Sequence, residues 1–591
     1  MSIKQIRFGV PFSGFFIKAA KFCTNYDYAF LVFILTIIST LSYLVYWDNH
    51  LGLAYNDARS HLDIGRRVVE GLKPGFAQLG SVWLPLPHLL MAPTIWIDFF
   101  WHSGLAGAIQ SMFSFVATGI VIYYYLKRLN VAMLGRLLGV FVFVANINIL
   151  YMQSTAMTEL LLIGTMTAAC FELLAWFQQN KLLYLIRAAF WTMLATLIRY
   201  DGWFLLFFAA MLITFHGFQR TGKKEAEGKF IFFCTLGGFG IFLWFLWNLV
   251  IFKDPLYFAF GPYSAHAQQL QLEDAGVLAT KGNILLSLKV YLYALIFNSN
   301  AYIVILATIG SILVWFDKKL TLSVKAAISA LFAPLIFNIV ALYLGHSVLF
   351  VQGISGDTWF NVRYGLMMMP SLAIFIGYLI NKSGKLKYLI LATVLMTAFF
   401  TFVNQDAVTI DDARVGSSQK NVSEVSGWLN THAKDKKGFV LISAASHDAI
   451  IFSSGLPMKK FIHEGTGAYW DSAVLNPDRW ARWIVMRTND NNDLTFRSIK
   501  STPGFKRYIK VDSYPFANSH KSFCIKESRA GIEGYPCIIC LTQDVHLIGC
   551  NFGCVFNRVP SDSPITQFYF HNVPWYNFWK PSQKIWPIMP I

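Results

Sequence analysis

Asp57 is where chemistry begins in this chain. It sits in Tyr55-Asn56-Asp57-Ala58-Arg59-Ser60-His61, a few residues after a long uncharged apolar run. A carboxylate held just outside a lipid bilayer can accept the proton of a hydroxyl, and arginines beside it can attract and orient a phosphate or pyrophosphate. Arg59, Arg66 and Arg67 supply that charge. Asp57 and His61 are four residues apart and share a face if residues 57–70 are helical. The alternative is an amphipathic surface helix capped by Asn56 or Asp57, with its arginines against lipid headgroups.

Ionisable residues recur at the edges of later apolar runs. Glu159, in Met157-Thr158-Glu159, begins one of them. Such a group at membrane depth is costly and usually faces a polar cavity or a partner, although a helix N-terminus also favours a carboxylate. Arg199-Tyr200-Asp201-Gly202-Trp203 lies between two runs, where Arg199 either pairs with Asp201 or binds phosphate. Arg363-Tyr364 opens another run, as a further phosphate contact or as a snorkelling anchor. Residues 253–295, with Tyr263 and His266, carry hydroxyl, amide and aromatic groups that suit a sugar or acceptor, or else an interfacial aromatic belt. No P-loop, dinucleotide fingerprint or HExxH motif occurs, so soluble-enzyme templates find little support.

These residues must be positioned by membrane helices. With 55% hydrophobic, 16% aromatic and only 14% charged residues among 591, the chain is too apolar for a soluble protein of its length. The run 29–47 is uncharged and about the roughly 20 residues needed to cross the hydrocarbon core. Lys4, Arg7, Lys18 and Lys21 precede it and no small-residue cleavage pattern follows, so it reads as an uncleaved anchor. The net charge of +17 does not indicate nucleic acid, because the basic residues cluster between apolar runs, as at Arg220 to Lys229 and Lys382 to Lys387. Such clusters mark cytoplasmic loops. Residues 83–101 contain Pro85, Pro87, Pro93, His88 and Asp98, and a span there would put the Arg220 cluster outside; the segment is placed on the outer surface instead. Spans are then predicted near 29–47, 105–126, 137–153, 158–177, 184–198, 203–216, 230–252, 296–316, 326–345, 364–381 and 388–404. The predicted fold is an all-α polytopic domain of about eleven transmembrane helices over residues 1–404, with a cytoplasmic N-terminus.

Residues 405–527 are mixed and polar, with apolar runs at 438–443, 449–452 and 483–486, and predict a small extracytoplasmic α/β domain. Residues 528–591 form a Cys-, Pro- and Trp-containing tail without periodicity. Five of the 8 cysteines fall at Cys524, Cys537, Cys540, Cys550 and Cys554, as disulfides, free thiols or zinc ligands.

Taken in order, the Asp57 loop, Trp83-Leu-Pro-Leu-Pro-His88, Met157-Thr-Glu159, Leu197-Ile-Arg199-Tyr-Asp201-Gly-Trp203 and Arg363-Tyr364 resemble the GT-C superfamily of membrane glycosyltransferases over about residues 25–404. The branch most similar is that of the protein mannosyltransferases and aminoarabinose transferases. The resemblance implies a polyprenyl-phosphate sugar donor, an extracytoplasmic site and inversion at the anomeric carbon. Asp57 falls on the first-loop catalytic acid position, where many relatives have Asp-Glu and this chain has Asp57-Ala58. The expected catalytic residues are Asp57 and Glu159. The expected substrate-binding residues are Arg59, His61, Arg66, His88, Arg199, Tyr200, Asp201, Tyr263, His266 and Arg363. No metal ligands are assigned, with a divalent cation (Mg, Mn or Zn) between Asp57 and Glu159 as an option. The expected partners are a lipid-linked sugar donor, a glycan, lipid or protein acceptor, and the membrane. A transporter or flippase, whose signature would be inverted repeats, and a non-catalytic envelope scaffold are the rival readings.

Overall fold

The computed structural model describes residues 27–220, 222–261, 264–274, 276–415, 422–488, 490, 493–515 and 522–528. The chain divides into two compact units, Met1–Tyr535 and Pro536–Ile591, and the second lies outside the described residues. Among the described residues, eight helices are long and apolar enough to cross a membrane: Tyr28–Asp48, Leu105–Arg128, Glu159–Gln179, Asp201–Arg220, Lys223–Phe252, Leu322–Tyr343, Val362–Lys382 and Gly384–Arg414.

Three predicted spans take other forms. Residues 137–153 divide into the helices Met133–Val144 and Ile147–Met152, and 184–198 becomes the short helix Leu182–Thr196. The expected span 296–316 is two helices, Ile284–Ser299 and Ala301–Phe316, bent by 110°. The break falls at Asn300, whose φ of 76° lies in the left-handed region that asparagine tolerates, and whose side chain accepts from the Tyr302 backbone N–H at 3.0 Å. Residues 83–101 form no span. Their prolines leave two short helices, Leu86–Met91 and Asp98–His102, with Trp96 and Phe99 exposed.

Burial ranks the helices by place. Only 22% of the apolar window of Tyr28–Asp48 and 11% of that of Gly384–Arg414 are covered by protein, whereas Glu159–Gln179 and Val362–Lys382 are each 89% covered. The last two are therefore central, and Glu159 and Arg363 stand at their starts. Small residues let the central helix approach its neighbours closely. A Cβ on Gly365 would lie 2.5 Å from the Ala294 carbonyl oxygen, and one on Gly310 would lie 2.2 Å from that of Phe375.

The last apolar helix, Lys387–Asn404, does not hand the chain straight to the α/β domain. Helix Val408–Val415, just past the predicted boundary at 404, packs against Ile147–Met152 and the turn Val362–Met368. The α/β domain follows, with β1 (Phe439–Leu441), β2 (Phe461–Ile462), β3 (Ala481–Arg487), β4 (Tyr508–Pro515) and β5 (Ser522–Ser528) in the order β2-β1-β3-β5-β4. β1 is parallel to β2 and β3, while β5 is antiparallel to β3 and β4. The apolar runs at 438–443 and 483–486 supply β1 and β3. The run 449–452 is part of helix Ala444–Ser453, because a short apolar run by itself does not distinguish strand from helix. The cysteines from Cys537 onward lie outside the described residues.

Candidate active site

Helix starts assemble the site. Asp57 lies in the first turn of Asn56–Val69, Glu159 is the first residue of Glu159–Gln179, and Asp201 is the first of Asp201–Arg220. Carboxylates are favoured there by the unpaired N–H groups and dipole of a helix N-terminus. Arg363 follows in the 3₁₀ turn Val362–Met368 that leads into the central span. The turn is held from the side by Asn298, whose amide donates to the Val362 carbonyl at 2.7 Å.

Arg363 is the hub. Its Nη2 donates to Asp57 Oδ2 at 2.6 Å and its Nε to Glu159 Oε1 at 2.9 Å, and Nη1 lies 3.8 Å from Asp412 Oδ2. Glu159 Oε1 also receives Arg199 Nη1 at 3.2 Å, and Arg199 Nε faces Asp201 Oδ2 at 3.4 Å. One fully buried carboxylate thus orients two guanidinium groups. Aromatic rings stiffen the pair: Tyr55 lies under Arg363 at 4.9 Å, and the Tyr364 ring contacts Arg199 at 4.9 Å and Arg363 at 5.5 Å. Asp57 is the open member, with its side chain 43% exposed against 0% for Glu159 and 6% for Arg363.

His61 and His88 form a buried pair with ring nitrogens 2.9 Å apart, and Trp83 lies 4.3 Å from the His61 ring. Burial, followed by the charges of Arg199 and Arg363, lowers the His61 pKa to about 3, and burial also holds His88 well below the usual range. At neutral pH this pair is uncharged and joined by one shared hydrogen bond. Tyr200 donates to the Val82 carbonyl at 3.0 Å and stacks on Phe258.

Other expected residues are placed elsewhere. Arg66 is committed to Glu70, to the Ile95 carbonyl at 2.9 Å and to Asp98 at 2.6 Å, and stacks on Trp101. Arg59 turns to Leu53 and Asn56. His266 is exposed against Phe260, and Tyr263 lies outside the described residues. Asp412, Tyr55 and Tyr364 were missed in the sequence. The signal for Asp412 was the acidic pair Asp411-Asp412 shortly after the last apolar run.

Among the described residues no three His, Cys, Asp or Glu side chains converge as a metal would require. Asp57, Glu159, Asp201 and Asp412 each turn an oxygen toward Arg363 or Arg199 instead.

ArnT, an aminoarabinose transferase from Cupriavidus metallidurans bound to undecaprenyl phosphate, superposes with a TM-score of 0.51, covering 85% of this chain and 99% of its own, at 10% identity. The chain has the GT-C fold. The oligosaccharyltransferase AglB from Archaeoglobus fulgidus, in complex with an inhibitory peptide and a dolichol-phosphate, aligns over 86% of this chain and 75% of its own at 11% identity and a TM-score of 0.45. No family model and no curated protein sequence matches the chain.

Proposed function

We propose that the chain is an integral membrane glycosyltransferase that moves a sugar from a polyprenyl-phosphate donor to an acceptor hydroxyl on the extracytoplasmic side, with inversion. The observation that carries this reading is the half-exposed Asp57 carboxylate held 2.6 Å from a buried arginine that a second acid fixes from behind. A GT-C neighbour bound to undecaprenyl phosphate supports the donor class. The distribution of basic loops supports opposite sides of the membrane for the α/β domain and the N-terminus, a placement that needs Met133–Val144, Leu182–Thr196 and the bent pair to cross along with the eight longer helices.

In the mechanism, Arg363 Nη2 exchanges Asp57 for an oxygen of the donor phosphate, while Glu159 keeps Nε and so the plane of the guanidinium. Asp57, released, accepts the acceptor's O–H proton as that oxygen attacks the anomeric carbon. The bond between that carbon and the phosphate oxygen breaks, its electron pair stays on the phosphate, and Arg363 and Arg199 meet the growing negative charge. The neutral His61–His88 pair lies within electrostatic reach of Arg199 and Arg363 without adding charge of its own. Asp201 and Glu159 keep the arginines aligned when the site is empty.

Transport has one feature in its favour, the break at Asn300. That break is level with the site, however, because Asn298 bonds Val362, the residue before Arg363, and its carbonyl accepts from Asn146 and Asn148. The test is turnover of labelled polyprenyl-phosphate sugars by the protein in lipid with an envelope-extract acceptor pool. Release of polyprenyl phosphate coupled to sugar transfer is expected. Movement of intact donor across the bilayer without cleavage would establish the transporter instead.

A further inference from the structure

A groove of about 490 Å³ opens on another side of helix Asn56–Val69, two residues and more than half a turn from Asp57. Its lining includes Asn49, His50, Arg59, Ala413 and Arg414, and no acidic residue among the described residues. Arg66 and Arg67 on the same helix each pair with a carboxylate. Among the described residues Arg59 reaches only neutral oxygens, Nε donating to the Leu53 carbonyl at 2.8 Å and Nη1 to Asn56 Oδ1 at 3.3 Å. Burial pulls its pKa down with no carboxylate to offset the effect. An arginine taken largely out of water beside an open groove, without a counter-ion of its own, is a place for an anion.

We propose that this groove is a second anion site, distinct from the Arg363 cluster, and that it takes the phosphate head of a membrane lipid. The guanidinium groups of Arg59 and the exposed Arg414 each present a planar fork of N–H donors that can hold two oxygens of a tetrahedral phosphate. The groove sits past the end of helix Asp27–Asp48, whose Leu41, Leu44, Val45 and Trp47 are exposed and offer a wall for acyl chains. Asn49 and His50 then stand at headgroup level. Occupancy reaches the catalytic cluster through one short helix: Ala413 and Arg414 line the groove, and Asp412 next to them faces Arg363. A lipid held there fixes the helix Val408–Val415 that presents Asp412. The inference rests on the membrane placement of the chain and not on glycosyl transfer, so it can stand or fall separately.

Two lipids carry this chemistry, an anionic phospholipid of the bilayer and the polyprenyl phosphate released from the donor. The experiment is a native mass-spectrometry titration of the full chain with phosphatidylglycerol, phosphatidylcholine and a long-chain polyprenyl phosphate, for wild type, Arg59→Gln and Arg414→Gln. Phosphatidylglycerol is expected to bind in preference to phosphatidylcholine, and each substitution to weaken it by roughly tenfold, the loss of one charge-assisted contact. Arg414 is exposed, so its variant folds as wild type does. Displacement of phosphatidylglycerol by polyprenyl phosphate, sensitive to the same substitutions, supports the site and names the released lipid as occupant. Failure to displace supports a bilayer phospholipid. Equal binding of phosphatidylcholine, or wild-type affinity in Arg414→Gln and Arg59→Gln alike, overturns the proposal.

Discussion

Glu159 decides how the candidate site stands when empty. It has no exposure of its own and answers two arginines, so its loss leaves buried positive charge without compensation. Glu159→Gln is expected to lower stability by roughly 3 kcal/mol, read as a fall in melting temperature in detergent; an unchanged melting temperature would mean that Asp57, Asp201 and Asp412 suffice. His61 gives a pH signature. Its pKa is near 6.5 in the unfolded chain and about 3 in the folded one, so between those values the unfolded state binds the extra proton. The contribution is complete above pH 6.5 and is lost progressively as acid is added towards pH 3. His61→Asn should flatten the acid limb of stability against pH by up to about 1.4 kcal/mol per pH unit, and an unaltered limb would show that His61 is already charged when folded. At this scale Asp57, Glu159, Arg199 and Arg363 were legible because an ion at the edge of an apolar run is conspicuous. Which acid meets which arginine was not, since Asp57 and Arg363 are separated by 306 residues and nothing local encodes the pairing.

Helix Asn56–Val69 shows how one element serves several surfaces at once. Asp57 and His61 face the site, Arg66 pairs with Glu70 four residues on, and Asp63 and Arg67 face the α/β domain. Spacings of four put each pair on one side of the helix, and the sequence showed this for the first pair alone. The span predicted at 296–316 is broken near its start for a related reason. Asn300 permits a turn that apolar content does not reveal, and the resulting bend supplies Asn298 to hold the turn before Arg363. Close packing on that turn is testable. Gly365→Ala would press a methyl group to 2.5 Å from the Ala294 carbonyl. A cost of about 1–3 kcal/mol with a disproportionate loss of transfer is expected, because the shift falls two residues from Arg363. Full activity in this variant would show that the turn has slack.

At the scale of the two domains, the α/β domain is tied to the site helix by buried charge. Arg67 pairs with Asp448 at 2.6 Å, and Trp101, which donates to Asp63 at 3.0 Å, meets Phe452 of the α/β domain edge-on with ring centroids 6.0 Å apart. Burial, and then the nearby Asp448 charge, pushes Asp63 well above the usual carboxylate range. Arg67→Gln should speed hydrogen exchange in helix Ala444–Ser453 while leaving the central spans protected, and equal protection would mean that apolar contacts alone dock the domain. Hydropathy made the membrane domain legible and apolar runs disclosed two of the five strands, whereas the docking of the domains depends on contacts nearly four hundred residues apart. The central claim is that Asp57 is the base of a lipid-phosphate-dependent glycosyl transfer. It is tested most directly by comparing wild type with Asp57→Asn in lipid, each given labelled polyprenyl-phosphate sugars and an envelope acceptor pool. The account predicts transfer by the wild type and a loss of about 10²–10⁴-fold in a variant that keeps its fold. Equal transfer by both proteins would contradict it.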